Sequence, residues 1–144
     1  MIVLGDNDVL RKLARCDLFT EFLQAFGVSF SAIFILNTTH HALQSNRVRK
    51  QLGEDSFHRL KAVLGAVQII QSVPDPNELI SLTEQPNLDT EEAILFSVAH
   101  QQSDTLLATG DKRSLQALTK ACRCGLPAPL HAAHEQDYLF RADP

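Results

Sequence analysis

Short apolar runs alternate along this chain with longer stretches in which apolar residues recur every three or four positions. Ile2 to Leu4 is one such run, ends on Gly5-Asp6 and predicts a strand. From Asp8 onward, Val9, Leu10, Leu13 and Ala14 fall on one side of a predicted helix. Leu18 to Phe26 predicts a second amphipathic helix, closed by Gly27. "FSAIFIL" at 30–36 reads as a second strand, followed by capping residues at Asn37 or Thr38. Residues 47–65 read as mostly helical with a weak point at Gly53, and "AVQIIQSV" at 66–73 as a third strand stopped by the prolines of "PDPN". "LDTEEAILFSVAHQQ" is the strongest helical pattern, "DTLLAT" a fourth strand, and Lys112 to Ala121 a further helix. Beyond Gly125, "LPAPLHAA" suggests a fifth short strand and "EQDYLF" a terminal turn.

Strands alternating with helices predict an α/β fold: a three-layer α/β/α sandwich with a central, mainly parallel sheet of four to five strands. The 144 residues suit a single domain spanning 1–144, with no repeat or low-complexity segment. Ligands of such folds sit outside the carboxyl ends of the strands. What stands at those ends is therefore the informative question.

Acids stand there. The first strand ends on Asp6 with Asp8 two residues on, and the fourth ends on Asp111. Glu92 precedes Leu95, Phe96 and Ala99 by three, four and seven residues, which puts it on the apolar side of its helix near the start. Three carboxylates at one sheet edge raise one another's pKa unless a cation joins them. Hard oxygen donors suit Mg²⁺ or Mn²⁺, which activates water for attack on a phosphate. On this view, deleting the charge of Asp111 stabilises the metal-free chain. Each acid also has a purely structural reading. Asp6 or Asp8 caps the first helix, Asp89 and Glu92 form a capping box, and Asp111 caps the helix that follows it.

Charge adds a second pattern. The formal charge of -4 does not by itself announce a nucleic-acid partner, but from Ala62 to Asp111 there are eight acids and no Lys or Arg. Basic residues gather outside that stretch, as Arg11, Lys12 and Arg15, then Arg47, Arg49 and Lys50, then Lys112, Arg113, Lys120 and Arg123. An acidic centre with basic flanks can hold a cation while attracting a phosphate chain, though an ordinary solvated surface has the same composition. Three cysteines, Cys16, Cys122 and Cys124, are odd in number and lack metal spacing, which suits free thiols in a reducing cytoplasm. No membrane span is present in the sequence, and "MIVLGDND" is too short and acidic for a signal peptide.

"GDNDVLRKLA" resembles the opening Asp-x-Asn/Asp-hydrophobic motif of PIN-domain nucleases, and "LDTEEAILFSVAHQQSDTLLATGDKRSLQAL" resembles their second half, in its bacterial PIN-like form. The motifs cover about a third of the chain, in an order and separation that agree over nearly all of it. The resemblance implies a metal-dependent ribonuclease acting on single-stranded or structured RNA. Asp6, Glu92 and Asp111 match the catalytic, metal-holding acids, with Asp8 and Thr109 as supporting residues. Arg47, Arg49, Lys50, Lys112 and Arg113 are candidate RNA contacts. Toxin–antitoxin nucleases are a natural comparison, with an antitoxin-like protein partner or a homodimer as possible assemblies. The chain also departs from the family. "NTTHHALQSN" carries no carboxylate where many members have one, so His40 or His41 is either a substitute or an ordinary surface histidine, and Arg113 and Ser114 follow Asp111 in place of a further acid. One metal or two is thus left open.

Two other readings stand beside this one. A PIN-like domain with a reduced site would bind RNA or a protein partner without cutting. Asp6-Asn7-Asp8 also fits the Asp-x-Asp nucleophile of haloacid-dehalogenase-like, Mg²⁺-dependent phosphatases, although Ser114 and Leu115 stand where their late motif has an acid and Glu92 has no role there.

Overall fold

A computed structural model describes the backbone of residues 2–102, 104–123 and 132–134, and the side chains of 5–102, 104–117 and 119. The chain divides into two compact units, residues 1–70 and 71–144. Among the described residues it is a mixed α/β protein, mostly helical, with eight α-helices and short parallel strands.

The first unit runs β1 (Ile2–Gly5), α1 (Asn7–Cys16), α2 (Phe19–Phe26), a 3-10 turn (Phe30–Ala32), β2 (Ile33–Ile35), α3 (Asn37–Leu43), α4 (Asn46–Leu52), α5 (Glu54–Leu64) and β3 (Gln68–Ile69). β2 pairs in parallel with β1, placing Val3 opposite Ile33, and with β3, placing Ile35 opposite Ile69. Ile33, Ile35, Leu10, Ala14, Leu43 and Leu60 are buried and form the centre of this unit's core.

The predicted helices hold, with breaks where backbone chemistry demands them. α2 closes on Gly27 at φ +61°, and α4 gives way to α5 at Gly53 at φ +80°, a left-handed conformation that glycine adopts without a Cβ clash. The second and third predicted strands are shorter than their apolar runs, while β1 and β4 keep theirs to within one residue. Phe30–Ala32 winds into a 3-10 turn, with the Ala32 N–H donating to the Ser29 carbonyl at 3.0 Å, so β2 keeps only three residues. So short a neighbour gives β3 little to pair with, and β3 is two residues long.

The second unit contains α6 (Pro76–Thr83), α7 (Thr90–Gln101), β4 (Thr105–Thr109), α8 (Lys112–Arg123) and β5 (Ala132–His134). β4 and β5 are parallel, with Leu107 opposite Ala132 and Thr109 opposite His134. Every residue of β4 is buried, as a strand covered on both faces requires. α6 is absent from the sequence reading, which took the prolines as a stop. Asp75 instead opens this helix, its Oδ1 accepting the N–H groups of Asn77 at 3.0 Å and Glu78 at 2.9 Å, with Pro76 in the first turn. The expected fifth strand is met at its end by β5; residues 126–131, the terminal turn at 135–140 and Cys124 lie outside the described residues. No described helix is long and apolar enough to cross a membrane.

Candidate functional site

At the first strand-to-helix junction, Asp6 follows β1 and occupies the cap position of α1 in extended conformation, φ −79° and ψ 153°. Its carbonyl accepts from the Leu10 N–H at 3.3 Å, but its carboxylate makes no capping bond. Asp8 does not cap the helix either. It sits in the first turn with its side chain 60% exposed and approaches Arg11 Nη1 at 3.8 Å. The simple capping explanation therefore fails for both acids of this junction.

At the start of α7, the capping box read from the sequence is formed. The Glu92 N–H donates to Asp89 Oδ1 at 2.8 Å, and the Asp89 N–H donates to Glu92 Oε2 at 3.0 Å. Glu92 does more than cap, because the Ser114 hydroxyl donates to its other oxygen, Oε1. Burial pushes the Glu92 carboxyl above its usual pKa; the Asp89 N–H and the Ser114 hydroxyl oppose that shift, while the charges of Asp89 and Asp111 add to it. Ser114 is fully buried and was missed as a site residue. Its only trace in the sequence is a small hydroxyl residue in the first turn of α8, three positions after Asp111.

Asp111 opens α8. Thr109 Oγ1 accepts from the Asp111 N–H at 3.2 Å and so holds the turn between β4 and α8. Asp111 Oδ1 accepts from the Arg113 N–H at 2.7 Å, and the Arg113 guanidinium reaches Oδ2 at 3.1 Å. The Arg113 side chain, then its N–H, hold the Asp111 carboxyl below its usual pKa. The capping expectation for Asp111 is met. Arg113 thus offsets the Asp111 charge locally, which opposes the expected burden of that charge on the metal-free chain.

Within each unit, no group of three or more His, Cys, Asp or Glu among the described residues is gathered tightly enough to hold a metal ion. The second unit supplies two of the three predicted acids, Glu92 and Asp111, near enough for the charge of one to act on the other. The donor set suits a hard cation. Each Glu92 oxygen accepts one hydrogen bond, and a carboxylate oxygen has a second lone pair to offer.

The candidate RNA contacts divide into two groups. Arg49 is held by Glu54, Nε donating to both carboxylate oxygens at 2.8 and 3.1 Å, and Arg113 is held by Asp111. Arg47, Lys50 and Lys112 are exposed and make no ion pair among the described residues. A surface cavity of 460 Å³ lies beside Lys50, lined by Asn46, Arg49, Lys50, Gly53 and Glu54. His40 meets Gln44, the residue just after its helix, at 3.2 Å and His41 is exposed. The bond to Gln44 fits the surface-histidine alternative for His40.

The second unit also holds a polar cluster that sequence reading missed. Glu78 on α6 accepts from the buried Ser97 hydroxyl at 2.8 Å and meets His100 Nδ1 at 2.8 Å, with only 13% of the Glu78 side chain exposed. Ser97 and His100 stand three residues apart on α7, the spacing of one helix face, but the partner helix α6 had not been recognised. Cys16 is a free, exposed thiol.

No family model matches this chain, and neither the curated proteins nor the solved structures contain a match to it.

Proposed function

We propose that this protein is a divalent-metal-dependent ribonuclease of the PIN-like type, with the three-layer α/β/α sandwich and four- to five-stranded parallel sheet of that fold. Asp6, Glu92 and Asp111 are the residues assigned to a Mg²⁺ or Mn²⁺ ion. When bound, the ion would lower the pKa of a water and offset charge developing on a phosphodiester. Glu92, its two oxygens steadied by the Asp89 N–H and the Ser114 hydroxyl, would present a carboxylate in one orientation. Thr109 fixes the turn that carries Asp111. Exposed Arg47, Lys50 and Lys112 would contact phosphates and set the position of the RNA.

One observation carries this reading: Glu92 does not stop at capping α7. A residue needed only for the capping box has no use for a fully buried hydroxyl on its second oxygen, nor for a place within the field of Asp111. The test is cleavage of labelled single-stranded RNA by purified protein with EDTA, Mg²⁺ or Mn²⁺. Metal-dependent cleavage that Asp6→Asn and Glu92→Gln each abolish supports the reading. Cleavage that both variants retain contradicts it.

A second reading has its own support. Asp111 is already engaged by the N–H and the guanidinium of Arg113. An acid committed in this way favours a PIN-like domain that binds RNA or a protein partner without cutting. RNA binding without cleavage under any metal condition would select it.

A further inference from the structure

We infer that the first unit carries a phosphate-binding ridge for single-stranded nucleic acid, formed by Arg11 and Arg15 of α1 with Arg47 and Lys50 of α4 and organised by Gln51. The inference rests on the nucleic-acid part of the proposed function and is independent of cleavage. Gln51 joins the two helices: its side-chain Oε1 accepts from Arg11 Nη2 at 2.6 Å, and its main-chain carbonyl accepts from Arg15 Nη2 at 3.4 Å. Arg11 and Arg15 lie one turn apart on α1, a spacing at which like charges repel. Both nevertheless converge on one neutral residue. Arg47 lies one turn before Gln51 on the same side of α4, and Lys50 is adjacent to it.

Two of the unit's six acids are paired away from these charges. Asp17 pairs with Arg59 at 3.2 Å and Glu54 with Arg49 at 2.8 Å, while Asp8 comes no nearer to Arg11 than 3.8 Å. Residues 1–70 hold eight Lys and Arg against six Asp and Glu, whereas residues 71–144 hold five against eleven. A guanidinium has five N–H donors, so one bond to Gln51 leaves each arginine able to grip an anion. Three of the four ridge cations are arginines, whose planar fork matches a phosphate.

The cavity beside Lys50 favours a phosphate chain with bases over an acidic protein. Its 460 Å³ falls within the roughly 300–1,000 Å³ of small-molecule sites, and Asn46 and the Arg49–Glu54 pair give its wall both donors and acceptors. That combination suits a nucleobase turned out of a single strand, next to a backbone held on the ridge.

The test is fluorescence anisotropy with a short labelled single-stranded RNA in EDTA, titrated across salt concentrations. Each neutralised phosphate of a single strand contributes about 0.7 to the slope of log K against log salt, so the Arg15→Gln/Arg47→Gln double variant should lose about 1.4 of slope. Lys61→Gln, an exposed charge change on α5, should leave the slope within about 0.2 of the wild type. Asn46→Ala should weaken binding severalfold with the slope unchanged. The inference is overturned if the wild type does not bind, if the double variant keeps the wild-type slope, or if Lys61→Gln reduces the slope by as much per charge. Equal or tighter binding to poly-glutamate, or to phosphatidylserine vesicles, overturns it in favour of an acidic protein or a membrane surface. Failure of the nuclease reading alone leaves these EDTA measurements intact.

Discussion

Two junctions in this protein share a design and differ in what they do with it. β1 ends on Gly5-Asp6 and leads into α1; β4 is followed by Gly110-Asp111 and leads into α8. In the second junction the aspartate caps the helix through the Arg113 N–H and pairs with the Arg113 guanidinium. In the first, the aspartate takes the cap position and its carboxylate makes no capping bond. The next residues account for part of the difference: Lys112 and Arg113 follow one aspartate, Asn7 and Asp8 the other. The same Gly-Asp step thus forms a side-chain helix cap at Asp111 and none at Asp6.

The largest effect that can break this contrast is catalytic. Asp6→Asn should lower metal-dependent RNA cleavage by about 100-fold or more, the range seen when a preorganised electrostatic group is lost. Its unfolding free energy should stay within about 0.5 kcal/mol of the wild type, because the amide keeps the size and hydrogen-bonding reach of the carboxylate and no capping bond is lost. Single-turnover cleavage and urea melts report both quantities, and a stability loss above 1 kcal/mol with activity retained would make Asp6 a structural residue like its counterpart.

Ser114→Ala should cost about 2 kcal/mol, because it strips a donor from a half-buried carboxylate. The same change should speed hydrogen exchange at the Asp89 amide, which donates to the other oxygen of Glu92. Unchanged exchange there would show that Ser114 does not help hold Glu92.

Asp111→Ala should cost about 1 kcal/mol through loss of the cap and speed hydrogen exchange at the Arg113 amide, whereas Asp6→Ala should leave exchange at the first-turn amides of α1 unchanged. Faster exchange at both helix starts would erase the contrast between the junctions.

The smallest expected effects are in the pH dependence of stability, and they have opposite signs. The folded state raises the pKa of Glu92, so it holds that proton more tightly than the unfolded chain does. Stability from Glu92 therefore falls as pH rises through the window just above an ordinary glutamate pKa. The folded state lowers the pKa of Asp111, so its contribution is present above the ordinary aspartate range and is lost as pH falls through the lowered value. Glu92→Gln should remove the first slope and Asp111→Asn the second, measured by melts from pH 3 to 7. Asp111→Asn should also destabilise the metal-free protein slightly, the reverse of what crowded carboxylates alone would give.

Periodicity revealed α1, α2 and α7 because their burial follows one helix face or a continuous core, and Gly27 and Gly53 marked real breaks. The capping box of Asp89 and Glu92 was equally legible, since it depends on residues three positions apart. α6 was not, because Asp75-Pro76 is both a turn signal and a helix start, and only the bonds from Asn77 and Glu78 decide between them. Ser114 and the Glu78–His100 pair were also hidden, for they meet partners 22 residues away in sequence, across separate elements. Arg113 was visible as a charge, but its grip on Asp111, and with it the reversed sign of that residue's electrostatics, required the side-chain geometry.

The proposed function assigns Asp6, Glu92 and Asp111 to one divalent cation. Crystals grown with Mn²⁺ and measured for its anomalous signal test it most directly. The account predicts one strong anomalous peak, bound by oxygens of all three carboxylates directly or through a single water, with the Ser114 hydroxyl still on Glu92. A well-ordered structure in excess Mn²⁺ with no such peak, or with a peak that leaves out Asp6, would contradict it.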